Sequence, residues 1–170
     1  YAVEGHGFYG IPLDKFLPYA ASRTWHLQLA VFWIATCWLA AGLYFAPRFG
    51  REPKYQSIGN AGLLVALTVV VVGSVVGSWA GIQGILGNKY SFWFGHQGYE
   101  YVDLGRFWQI YLLIGLLLWV ALVVRALWPV LQEKGSKSLI YLVLVSALAI
   151  GLLYGAGLMW GQHTNIAVME

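Results

Sequence analysis

Long apolar runs alternate with short polar segments along the whole chain. A helix needs about 20 mostly apolar residues to cross a bilayer. Four runs reach that length, and they cover residues 24–45, 61–86, 104–128 and 139–160. We expect the first to stop before Pro47 and the third before Pro129, because proline cannot continue a helix. The pattern therefore predicts four transmembrane helices.

The second run is rich in β-branched residues, which favour strands in water. In a bilayer a segment has to satisfy its backbone hydrogen bonds internally, so a helix is predicted here as well. Small residues recur four apart along this run, at Gly73, Gly77 and Gly81 and at Ser74 and Ser78. Such spacing lets another helix approach closely. The predicted fold class is an all-α, polytopic membrane helix bundle.

The composition agrees with a membrane protein. The 170 residues are 59% hydrophobic and only 10% charged, which lies outside the range of soluble domains. The net charge is +3, but the basic residues lie in short loops, so we expect no nucleic-acid partner. The single cysteine, Cys37, excludes a disulfide framework and a cysteine metal site. The chain begins without methionine and ends soon after an apolar run, so we expect a fragment of a larger polypeptide.

Basic residues are distributed unevenly between the two sides of the predicted membrane. The loops after the first and third runs hold six of them, Arg48, Arg51, Lys54, Arg125, Lys134 and Lys137. The other side holds four basic residues, which acidic residues balance. The positive-inside rule assigns the two basic loops to the cytoplasm. His26 and the aromatic loop at residues 90–103, which is long enough to have structure of its own, are then expected on the outer side.

His26 lies in the first turn of the first predicted span. Ionisable side chains at this depth usually face the interior of a bundle and serve a function. A neutral imidazole is a good axial ligand for haem iron. The same residue also fits an interfacial ring that bonds a neighbouring carbonyl. The residues alone leave haem ligation and this structural role open.

Two acidic residues three apart, Glu100 and Asp103, precede the third run. If helical, they share one face and suit a hard cation such as calcium. They also suit a helix amino terminus and an interfacial pair with Arg106. The guanidinium of Arg106 is able to hold a carboxylate or a haem propionate instead.

The amino-terminal segment VEGHGFYG contains Glu4 and His6. A carboxylate at a membrane surface is able to accept a proton from a quinol, although a solvated loop acid fits equally well. His96 and His163 are assigned ordinary interfacial roles. The sequence contains no HExxH metal motif, phosphate-binding loop or nucleophile elbow.

Three long segments point to a family. RTWHLQLAVFWIATCWLAAGLYFAP, FWFGHQGYEYVDLGRFWQ and YGAGLMWGQHTNIAVME closely resemble the catalytic subunit of nitric oxide reductases, in the haem–copper oxidase superfamily. The opening VEGHGFYGIPL is similar to the quinol-dependent, single-chain members. The resemblance covers nearly the whole chain and implies that its four helices belong to a larger bundle of the same polypeptide.

The resemblance implies a role for four residues. His26 matches the histidine that is an axial ligand of the low-spin haem b. Glu100 matches a glutamate associated with calcium near the haem propionates, and Asp103 is the second candidate for that ion. Glu4 matches a glutamate that flanks the quinol site together with a histidine four residues earlier, a position that falls before Tyr1.

The resemblance also implies what the whole protein does. It takes electrons from quinol through the low-spin haem b to a centre of haem b3 and non-haem iron, where two NO become N2O and water. The ligands of that centre are expected beyond Glu170, so no catalytic residue is expected within the 170 residues. The expected location is the bacterial cytoplasmic membrane, with His26, Glu4 and Glu100 toward the periplasm.

Two alternative functions stay open. One is a relative that resembles a nitric oxide dismutase, which converts NO to N2 and O2 without quinol. The other is a non-catalytic, haem-binding electron-transfer subunit of the membrane. Haem content and the downstream iron ligands distinguish these alternatives from a reductase.

Overall fold

The computed structural model describes residues 5–97, 103–133 and 137–160. Every regular element in these ranges is a helix, in the order α1 Gly5–Tyr9, α2 Leu13–Phe16, α3 Tyr19–Phe49, α4 Gln56–Ile82, α5 Asn88–Phe94, α6 Arg106–Gln132 and α7 Ser138–Trp160. The predicted all-α fold class is confirmed.

Four helices are long and apolar enough to cross a membrane. They are α3, α4, α6 and the Ser138–Ala156 part of α7, among the residues that the structure describes. Most of their apolar surface faces outward, which is the expected arrangement where lipid or further helices replace water as the surroundings. The prediction of a polytopic membrane protein is confirmed.

The predicted effect of the two prolines is wrong. Pro47 lies inside α3 and Pro129 inside α6, and the helices end only at Phe49 and Gln132. A proline removes its own N–H donor, but the next residues are able to bond normally. The backbone N–H of Gly50, for example, donates to the carbonyl of Ala46 across Pro47, at 2.9 Å. Each proline therefore lies in a final turn and does not end its helix.

The chain divides into two compact units. The first contains the described residues up to Phe32 together with Val71–Gln109, and the second contains Trp33–Val70 with the described residues from Ile110 onward. The first unit holds the described candidate site residues His26, Asp103 and Arg106, and the second holds the main apolar core.

Trp119 of α6 is the centre of the core in the second unit. It is 0% exposed, and its indole N–H donates to the carbonyl of Leu39 on α3 at 2.8 Å. Its ring lies 4.6 Å from that of Trp38 and directly against Gly42, where any Cβ would overlap the indole. Buried residues around it are Ala46, Leu63, Val123, Ala126, Leu127 and Ala147.

The glycines of α4 allow close packing in the first unit. The Trp108 ring of α6 rests on Gly73, and the backbone carbonyl of Phe94 rests on Gly77. A Cβ at either glycine would overlap these atoms, so only glycine fits. Ser74 and Ser78 of the same helix are fully buried. The close approach predicted from small residues four apart is confirmed.

Candidate functional site

His26 lies on α3, and the residue before it fixes the rotation of that helix. The indole N–H of Trp25 donates to the carbonyl of Val75 at 3.0 Å and to the Ser78 hydroxyl at 3.2 Å, both on α4. Successive residues of an α-helix are about 100° apart around its axis. With Trp25 facing α4, the His26 side chain points to a different face.

The imidazole of His26 is exposed on that face. Leu29 and Ala30, three and four residues later, are exposed beside it. No hydrogen bond to the His26 ring is formed from any described residue. The His26 ring forms no hydrogen bond with a described residue, and it lies beside an apolar side chain, Leu29, and a small one, Ala30. Such an imidazole is suited to be an axial ligand of a haem, whose macrocycle is flat and apolar. These residues therefore fit the haem that the resemblance implies.

The segment that follows Glu4 is held at the carboxyl end of α4. The indole N–H of Trp79 donates to the carbonyl of Phe16 at 2.7 Å, and the Gln83 amide donates to the carbonyl of Lys15 at 3.1 Å. Glu4 itself lies outside the described residues, and so does His163. The quinol assignment of Glu4 stays a prediction.

Residues on either side of Glu100 are brought together. His96 and Leu104 form an isolated antiparallel bridge, and the Gly105 N–H donates to the Gly95 carbonyl at 3.0 Å. The Gln97 amide donates to the Leu104 carbonyl at 2.8 Å. The aromatic loop is therefore closed at its base. The structure that was predicted within this loop includes most of α5. Glu100 lies outside the described residues.

Asp103 is placed differently from the helical arrangement considered above. It precedes α6, which begins at Arg106, because the bridge to His96 holds Leu104 in a non-helical backbone. Asp103 itself therefore lies outside any helix. The residue is only 2% exposed, and a buried carboxylate requires compensating partners. Asp103 has such contacts, and its calcium role stays a prediction.

Arg106 is the first residue of α6 and is partly exposed. Its guanidinium donates to the side-chain oxygen of Gln109 at a long 3.5 Å. An arginine carries five N–H donors, so most of them are available to an acceptor outside the described residues. Among the described residues, three or more His, Cys, Asp or Glu do not come together as a metal site.

His96 has a more buried position than its predicted interfacial role implies. Its ring lies against Gly81 of α4, where an added Cβ would be 3.1 Å from Nε2. Burial lowers the pKa of His96 below its usual 6.5, and a hydrogen bond with the Gly81 backbone opposes this only in part. The neutral imidazole is therefore the form that suits the closed loop.

This pKa predicts acid sensitivity. The folded-state pKa of His96 is below the unfolded value, so the unfolded chain binds the proton more readily. Stability is fully present above the unfolded pKa of 6.5 and falls as the pH drops through it. We expect the unfolding midpoint to be lower when it is measured at about pH 5 than at about pH 7.5. His96→Gln should reduce this dependence of the midpoint on pH. An unchanged dependence would contradict the assignment of the acid sensitivity to His96.

Sequence reasoning missed Trp25 and assigned His96 an ordinary interfacial role without its contact with α4. Its position next to His26 places Trp25 about 100° away around the helix axis, but this spacing does not show which neighbour the indole faces. The position of His96 depends on a pairing across a loop, which no local pattern reveals.

Comparison with known proteins shows that the chain matches one protein family. The family model described as Cytochrome C and Quinol oxidase polypeptide I matches residues 7–169. No curated protein matches the chain. The match extends over all four candidate spans and over the residues around His26.

Proposed function

Because the chain belongs to the cytochrome c and quinol oxidase polypeptide I family of the haem–copper oxidase superfamily, we propose that it is part of a quinol-dependent nitric oxide reductase. The family makes it a subunit of a membrane oxidoreductase that binds haem. The proposed reaction of the whole protein converts two NO, two electrons and two protons to N2O and water. Quinol supplies the electrons and protons, and the proposed location is the bacterial cytoplasmic membrane.

The observation that carries this proposal is the exposed imidazole of His26 beside the fixed Trp25. We assign His26 as an axial ligand of a low-spin haem b, which supplies reversible one-electron chemistry when bound. The hydrogen bonds of Trp25 to α4 hold α3 in one rotation, which keeps the His26 side chain on one face of that helix. The choice of NO as substrate rests on the motifs around His26, Glu100 and the last helix.

Other residues have supporting roles in the proposal. Arg106 is suited to a haem propionate, because its guanidinium retains donors beyond the long bond to Gln109. Glu100 and the buried Asp103 are the candidates for calcium, whose hard charge prefers carboxylate oxygen. Haem b3 and non-haem iron would be held by residues of the same polypeptide outside these 170.

Glu4 is proposed to accept a proton as quinol is oxidised at the outer surface. Glu4→Ala should slow quinol-driven NO consumption about a hundredfold, the lower end of the range for loss of a general base. NO consumption driven by an artificial electron donor should change little, because that donor bypasses the quinol site. Both rates are measured with an NO electrode on the intact protein.

A neighbouring acid provides a matched control for Glu4. Asp14 of α2 is exposed in the same amino-terminal segment, and Asp14→Ala should leave both rates near those of the unmodified protein. An equal loss of rate with both donors in Glu4→Ala would argue against a quinol role.

A further inference from the structure

The loop between α3 and α4, residues 50–55, is fixed to α6. The Arg51 backbone N–H donates to the Ala126 carbonyl at 3.0 Å, and the Arg125 guanidinium donates to the Lys54 carbonyl. Gly50 lies so close to the Ala126 carbonyl that a Cβ would overlap it. These contacts therefore fix the position of the loop in the second unit.

These contacts bring the Arg125 guanidinium to the backbone of the loop that carries Arg51 and Lys54. Arg125 is 71 residues from Lys54, and both side chains are exposed, as are those of Arg48 and Arg51. We name these four residues the basic patch. Glu52 is the one acidic residue between positions 48 and 55, so the patch keeps a clear excess of positive charge.

Exposed aromatic rings flank the basic patch. Phe49 at the end of α3 is 70% exposed, and Tyr55 before α4 is 74% exposed. Tyr55 has a φ of 65°, in the left-handed region that non-glycine residues rarely adopt. Aromatic rings at the ends of membrane spans lie at headgroup depth. We therefore expect the patch to lie at the level of the lipid phosphates.

We propose that the basic patch binds the phosphate of an anionic phospholipid headgroup. Arg51 and Lys54 have exposed cationic groups, and Arg125 has donors beyond its bond to Lys54. An arginine fork matches phosphate oxygens, and lysine adds a point charge. The flanking rings favour a lipid over a free anion, since they are placed to contact the glycerol and upper acyl region.

Lipid selectivity of the intact protein tests this proposal. The protein is reconstituted in phosphatidylcholine, and spin-labelled phosphatidylglycerol or phosphatidylcholine is added as the probe. Electron paramagnetic resonance gives the protein-associated fraction of each label. We expect a preference for phosphatidylglycerol that Arg51→Gln/Lys54→Gln lowers at least about fivefold, since each basic residue near an anionic lipid contributes substantially to its attraction.

A matched double variant neutralises two exposed lysines elsewhere. Lys15→Gln/Lys89→Gln removes the same charge from other polar segments and should leave the preference unchanged. If the first double variant fails to fold, Lys54→Gln alone serves, because its described hydrogen bond uses only the backbone carbonyl. The proposal is overturned if the unmodified protein shows no preference, or if the patch variants retain it.

Discussion

Replacing His26 with alanine in the intact protein is expected to remove the low-spin haem signal from its absorption spectrum. Alanine provides no ligand for iron, and no described residue is placed to substitute for the ring. A haem that loses one axial ligand changes its coordination and therefore its spin state. The loss should be complete, and quinol-driven turnover should disappear with it.

The neighbouring residue gives a control for this substitution. Leu27 is also exposed on α3, and Leu27→Ala removes side-chain volume without removing a ligand. Its low-spin signal should resemble that of the unmodified protein. Imidazole added to His26→Gly should partly restore the signal, which a merely structural role of His26 would not explain. An unchanged spectrum in His26→Ala would contradict the assignment.

Replacing Trp119 with alanine should cause the largest loss of stability in the second unit. The change removes a fully buried indole, its hydrogen bond to the Leu39 carbonyl and its contact with Trp38. Truncating a buried tryptophan to alanine costs about 3–5 kcal/mol. The free energy of unfolding in mixed detergent and denaturant should fall by an amount in this range.

The same helix offers the matched control. Trp128 of α6 is 56% exposed, so Trp128→Ala leaves no internal cavity and should cost no more than about 0.5 kcal/mol. If Trp119→Ala and Trp128→Ala lowered the free energy of unfolding by the same amount, the loss of a tryptophan at any position would explain the result. The packing of Trp119 against Gly42 would then not be the main source of stability.

The long helices could be predicted from the sequence because length and apolarity are sufficient conditions for a span. Their ends were less accurate, as Pro47 shows. A proline in a final turn disrupts only its own hydrogen bond, and contacts such as the Gly50 approach to Ala126 decide where the chain turns. Structure in the aromatic loop was predicted, but the helical form of α5 was not, because its seven residues, four of them aromatic, carry no helical period.

The candidate site was predictable where one residue carries the chemistry and less so where several elements meet. His26 was identified because an ionisable residue in an apolar run is conspicuous. Asp103 was placed on a helix in one interpretation, but the bridge between His96 and Leu104 gives it a different backbone. Such a bridge joins residues across a loop, so side-chain patterns do not reveal it.

The most direct test of the proposed function is a gas balance with isotopically labelled NO. The intact protein is supplied with labelled NO and a quinol in the absence of oxygen, and mass spectrometry quantifies N2O, N2 and O2. The prediction is one N2O for every two NO, with one quinol oxidised. N2 and O2 without quinol oxidation, or no NO consumption by a haem-containing protein, would contradict it.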